Sequence, residues 1–164
     1  MFLDIRIGFD NLAVATAARK EFVDAFRAEK DYFNTCAATR LQAAVGMAVL
    51  DEIERLDLLR NAVEVGQRLT ASLKNRVARY DAIGDVRGSD LFIGIEMIKA
   101  GTDKEPDAEL TMALSNRLKE KGFLVSHSGK FHNVLKIRPP LVFTQENADE
   151  FMEAFDECMD EMSA

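Results

Sequence analysis

Two cations stand two residues apart in Val134-Leu135-Lys136-Ile137-Arg138, where apolar and basic residues alternate. On a strand such positions point to one face, so Lys136 and Arg138 could together hold an anion. Lysine offers a point charge, whereas the arginine fork engages a carboxylate through two parallel bonds. Both residues also read as solvated strand charges, Arg138 more readily than Lys136, and their types alone leave that choice open. Arg87, within Val86-Arg87-Gly88, reads as structural, bridging its strand to nearby carboxylates. His127 and His132 flank a polar hairpin with no acid close in sequence, so a metal site is not expected. Cys36 has no neighbouring histidine to activate it as a nucleophile and reads as a small packing residue.

The elements that must position these residues are legible in the periodicity. A short helix is expected at about 20–28. Leu41, Ala44, Val45, Ala48, Val49, Ile53 and Leu56 recur every three or four positions and predict an amphipathic helix over 39–56. A second helix follows at about 58–80, with Ala62, Gly66, Leu69, Leu73 and Val77 on one side. The period then becomes extended, giving strands at 83–88 and 91–97 joined by a tight turn. A polar loop leads to a helix at about 107–121, with Pro106 suited to its start and Gly122 to its end. Strands are expected at 123–125 and 134–138, the second ended by Pro139-Pro140. Thr144 caps a last helix that buries Ala148, Phe151, Met152, Phe155, Met159 and Met162 and solvates its acidic face. Residues 1–20 read ambiguously, with Leu12-Ala13-Val14-Ala15 as a candidate short strand. The series predicts an α+β fold in which a small, mostly antiparallel sheet is covered on one face by helices and preceded by a long helix.

Composition narrows the function classes. The chain has 164 residues, 48% hydrophobic and 30% charged, enough for one compact domain with a core. Its net charge of −7 lacks the basic footprint that nucleic acid or an anionic membrane surface requires. Neither partner is expected. The two cysteines, Cys36 and Cys158, are far apart and form no CxxC pair, which suits a reducing cytoplasm rather than a disulfide scaffold. Charges at Asp4 and Arg6 interrupt any signal-like apolar run, and no stretch is long enough to span a bilayer.

A series of segments carries a resemblance. Tyr32-Phe33-Asn34-Thr35 precedes the alanine-rich helix ending Gly46-Met47-Ala48-Val49-Leu50-Asp51-Glu52-Ile53-Glu54. Then follow Ile83-Gly84-Asp85-Val86-Arg87-Gly88, Gly94-Ile95-Glu96, Lys121-Gly122-Phe123-Leu124-Val125, and Asn133 through Lys136-Ile137-Arg138-Pro139-Pro140-Leu141 to Thr144. In this order they resemble the carboxy-terminal part of class III pyridoxal-phosphate-dependent aminotransferases, nearest the alanine–glyoxylate and amino-alcohol-phosphate lyase branch. The resemblance implies the small domain of fold type I enzymes, a homodimer, and an amino acid or keto acid substrate. It implies a cofactor held as a Schiff base by a lysine of a large domain, where the pyridine ring takes up the electrons left when a proton departs. It further implies that Thr35 reaches the cofactor phosphate of the neighbouring subunit, and that Lys136, with Arg138, binds the substrate carboxylate.

The departures matter as much. The family's lysine lies just ahead of a glycine-asparagine-glycine stretch, of which Gly8-Phe9-Asp10-Asn11 resembles a degraded form. Carried back without gaps, the lysine position falls on about Ile5, which cannot form an imine. Thr35 is followed by Cys36-Ala37-Ala38 where the family has an aromatic residue and two glycines, and Asp90 stands where a glycine is usual. The expected organisation is a remnant of the cofactor-domain end over 1–38 and a small domain with its leading helix over 39–164. The chain alone is then expected not to transaminate, pyridoxal phosphate being bound, if at all, with a separate cofactor-domain chain. The alternatives are a dimerising interaction module and a sensor of anionic amino acids.

Overall fold

The structure, a computed structural model, describes residues 3–6, 14–31 and 39–163. Its contacts divide the chain into two units, Met1–Leu56 and Asp57–Ala164. In the first unit, β1 (Leu3–Arg6) and β2 (Val14–Ala17) pair antiparallel, followed by α1 (Lys20–Glu29) and α2 (Arg40–Arg55). The candidate strand at 12–15 survives in its second half, while Leu12 and Ala13 fall outside the described residues. Thr39 starts α2 through a reciprocal cap: its hydroxyl accepts from the Gln42 amide, and its own amide donates to the Gln42 side chain.

In the second unit, α3 (Leu58–Val77) leads into β3 (Ile83–Ser89) and β4 (Phe92–Met97), then α4 (Ala108–Glu120), β5 (Ser126–Ser128), β6 (Val134–Ile137) and α5 (Gln145–Ser163). The sheet is fully antiparallel in the order β3-β4-β6-β5. Alternation along β4 puts Ile93, Ile95 and Met97 on a buried face, where they join Leu69 and Leu73 of α3, Leu114 and Leu118 of α4, and Phe155 and Met159 of α5. Each such side chain contributes roughly 1.5–3 kcal/mol on leaving water. The α+β arrangement, a small sheet covered on one face by helices, is therefore the one expected.

Two local expectations need correction. Residues 123–125 form no strand. Gly122, at φ +93°, terminates α4, and the Phe123 amide donates back to the Leu118 carbonyl of that helix. The Val125 carbonyl accepts from Ser115, so this stretch spends hydrogen bonds on α4 and leaves Leu124 exposed, and pairing begins only at Ser126. Pro106 likewise sits outside its helix, bridging to Ile98, while Asp107 caps α4 by accepting from the Leu110 amide at 2.8 Å. Thr144 caps α5 as expected, its hydroxyl accepting from the Asn147 amide at 3.2 Å.

Candidate functional site

The sheet face turned away from the helices carries a row of four residues, one from each strand. Arg87 pairs with Gly94, Gly94 with Lys136, and Lys136 with Ser126. The adjacent row holds Asp85, Glu96, Val134 and Ser128. Pleating places both rows on the side opposite the buried Ile93 and Ile95.

The two cations of the first row have different fates. Arg87 donates to Asp85 at 2.9 Å and also to Glu96, and these hydrogen bonds hold its guanidinium still more firmly protonated than usual. Its charge is spent on protein carboxylates, as the sequence suggested. Lys136 is half-buried and has no carboxylate within ion-pair distance among the described residues. Gly94 lies between them and leaves bare backbone there. A Cβ at that position would stand 3.1 Å from Val134 Cγ1. The sequence did not single out this glycine, although an isolated glycine within a strand pattern signals close approach by another group, here the Val134 side chain.

Arg138 follows β6 by one residue, exposed, on the same face as Lys136 by alternation, and likewise without a carboxylate partner among the described residues. Thr35 and Cys36 lie outside the described residues. His127 and His132 meet edge to face with ring centroids 5.9 Å apart. No group of three histidine, cysteine or acidic side chains suited to a metal occurs among the described residues.

Residues 8–159 match the family described as aminotransferase class III. The chain belongs to that family. Ethanolamine-phosphate phospho-lyase homolog 1 of Caenorhabditis elegans is 35% identical over 153 residues, which cover 93% of this chain and 32% of that protein. The mitochondrial alanine–glyoxylate aminotransferase 2 homolog 2 of Arabidopsis thaliana is 38% identical over 133 residues, 81% of this chain and 28% of that one. Among solved structures, an Arthrobacter phospholyase in complex with phosphoethanolamine superposes with a TM-score of 0.80 at 35% identity, covering 90% of this chain and 34% of that one. This class III chain thus spans about a third of the length of the relatives it matches.

Class III aminotransferases use pyridoxal phosphate, which asks for an unpaired lysine amine in an enclosure and a cradle for a phosphate dianion. All nine lysines lie in the described residues, and eight are exposed. The exception, Lys136, stands on the open sheet face. Lys74 lines a cleft of about 390 Å³, but shares it with the Asp90 carboxylate and no second cation. That cleft also lies along the later turns of α3, away from the helix N-terminus that would favour an anion. Ile5 lies in β1 opposite Ala15. The described residues therefore do not fit the cofactor, and no step is derived through it.

Proposed function

We propose that this chain is the carboxy-terminal portion of a class III aminotransferase, that it supplies a substrate-anion contact through Lys136, and that it does not transaminate unaided. The observation that carries this reading is the unpartnered, half-buried Lys136 beside Gly94. Several other cations on the sheet and its flanks are engaged: Arg87 by Asp85 and Glu96, Lys99 by Glu105, Lys121 by Glu157. An ammonium left unpaired in a half-buried setting is unfavourable unless an anion comes to it. Arg138 extends the same face and would hold a second oxygen of a carboxylate or acidic amino acid. Thr35 remains a candidate contact to the cofactor phosphate. Ile5 at the family's lysine position supports the absence of transamination by this chain alone. The free, buried Cys158 is consistent with a reducing cytoplasm.

The decisive experiment is titration of the purified chain with pyridoxal phosphate, followed by borohydride reduction and peptide mapping. Weak labelling scattered over surface lysines is expected. Stoichiometric labelling of one lysine would overturn the reading.

One observation favours a second reading, a self-associating interaction module. The stripe of α2 leaves Leu41 66% and Val45 41% exposed, an apolar face that tends to recruit a partner. A stable dimer by light scattering, indifferent to pyridoxal phosphate and lost on Leu41→Glu with Val45→Glu, would support that reading over the first.

A further inference from the structure

The cleft between α3 and the β3–β4 turn carries chemistry that the Lys136 face does not use. Its volume is about 390 Å³, at the lower end of the roughly 300–1,000 Å³ typical of small-molecule sites. One wall is a face of α3 with Gln67, Thr70 and Lys74 at the helical spacing that aligns side chains. The other wall is the turn, with Ser89 and Asp90. Gly66 fixes how closely the walls approach, since a Cβ there would stand 2.2 Å from the Asp90 carbonyl carbon and oxygen.

The charges of the two walls are opposite and do not satisfy each other. Lys74 has no carboxylate within ion-pair distance among the described residues, and the side chains of Gln67 and Thr70 have no hydrogen-bond partner among them. Asp90 accepts a hydrogen bond from the Ser89 hydroxyl at 3.0 Å and has no cation partner among the described residues. An ammonium and a carboxylate thus line one small cleft, too far apart to pair across it. Asp90 also holds a left-handed backbone, φ +52°, at a turn position glycine would occupy without strain. Keeping the carboxylate at that point therefore has a conformational cost.

We propose that this cleft binds a small zwitterion, a free α-amino acid, with its carboxylate on Lys74 and Thr70 and its ammonium on Asp90. Such a ligand has opposite charges a few atoms apart and bridges the two walls. Each contact is solvent-accessible, so binding is weak, and specificity comes from requiring both charges at once.

The test is a 1H–15N correlation titration of the full 164-residue chain with L-alanine, and separately with acetate and with ethylamine. Saturable shifts centred on Gly66, Thr70, Ser89 and Asp90 are expected with L-alanine alone. Lys74→Ala and Asp90→Gly should each weaken binding about fivefold. Both variants are expected to fold, one being an exposed helix position and the other gaining glycine where φ is positive, and the same spectra verify this. Lys119→Ala, at an exposed position on α4, should leave the titration unchanged. The proposal fails if acetate or ethylamine alone reproduces the shifts, if L-alanine produces none that saturate, or if the shifts centre on Gly94 and Lys136. That last pattern would support the Lys136 face while removing this cleft.

Discussion

Arg76 on α3 grips Asp156 on α5 in a fork, its Nε 3.1 and 3.2 Å from the two carboxylate oxygens and its Nη2 2.7 Å from one of them. Both side chains are largely covered, and the hydrogen bonds to Asp156 raise the arginine's basicity further. Beside them Tyr80 donates to Asp160 at 2.8 Å, and Arg79 also reaches Asp160. The C-terminal halves of two helices far apart in sequence are fastened at this cluster. Removing Arg76 leaves a half-buried carboxylate with only the longer contact to Arg79, 3.8 Å, which costs about 1–3 kcal/mol. Arg76→Ala should lower the urea midpoint accordingly. Arg76→Lys should recover only part of the loss, because an ammonium cannot reproduce the fork.

Tyr80 should make stability fall in alkali. Burial, and then the hydrogen bond to Asp160, hold its phenol protonated well above the usual tyrosine range, with Arg79 opposing. The unfolded chain releases that proton near pH 10. Above that point the folded state binds more protons than the unfolded state, so stability declines as pH rises toward the folded value. Below it the contribution is fully present. Urea midpoints between pH 8 and 11 should drop more steeply for the native chain than for Tyr80→Phe. Equal slopes would mean that the phenol titrates normally.

Gly66 and Asp90 should respond oppositely to substitution. Gly66→Ala drives a Cβ into the Asp90 backbone and should destabilise by about 2 kcal/mol or more. Asp90→Gly removes a non-glycine residue from the left-handed region and should be neutral or stabilising by up to about 1 kcal/mol. Thermal denaturation of the two variants tests both signs. A tolerant Gly66→Ala would mean that the turn can slide away from α3.

Cys158 should be chemically silent in the folded chain. It is buried in the core, and that burial pushes its thiol pKa up despite the opposing charge of Lys121. In a Cys36→Ser variant, a thiol reagent at pH 8 should react only as fast as the chain opens. Rapid stoichiometric reaction in native buffer would place Cys158 at an accessible position.

The helices and most strands were legible because their periodicity reports a single buried face. Leu69, Leu73, Phe155 and Met159 sit in the core at the spacing that marked them in the sequence. The stretch at 123–125 misled because Phe123-Leu124-Val125 has the composition of a strand. Its backbone is committed to closing α4, a hydrogen-bonding choice that side-chain type does not encode. Lys136 and Arg138 were legible as cations on one strand face. Their lack of partners was not, because partnership depends on which carboxylates the fold brings near.

The sequence by itself determined the family, the α+β class and the pairing of apolar faces, since these follow from ordered motifs and local period. Only the tertiary structure decided that Gly94 separates Arg87 from Lys136, which carboxylates engage Arg87, and that Lys74 and Asp90 line one cleft without meeting. Cross-strand register and helix-to-turn distance are long-range quantities, set by how the core packs. Charges many residues apart become neighbours only once that packing is complete.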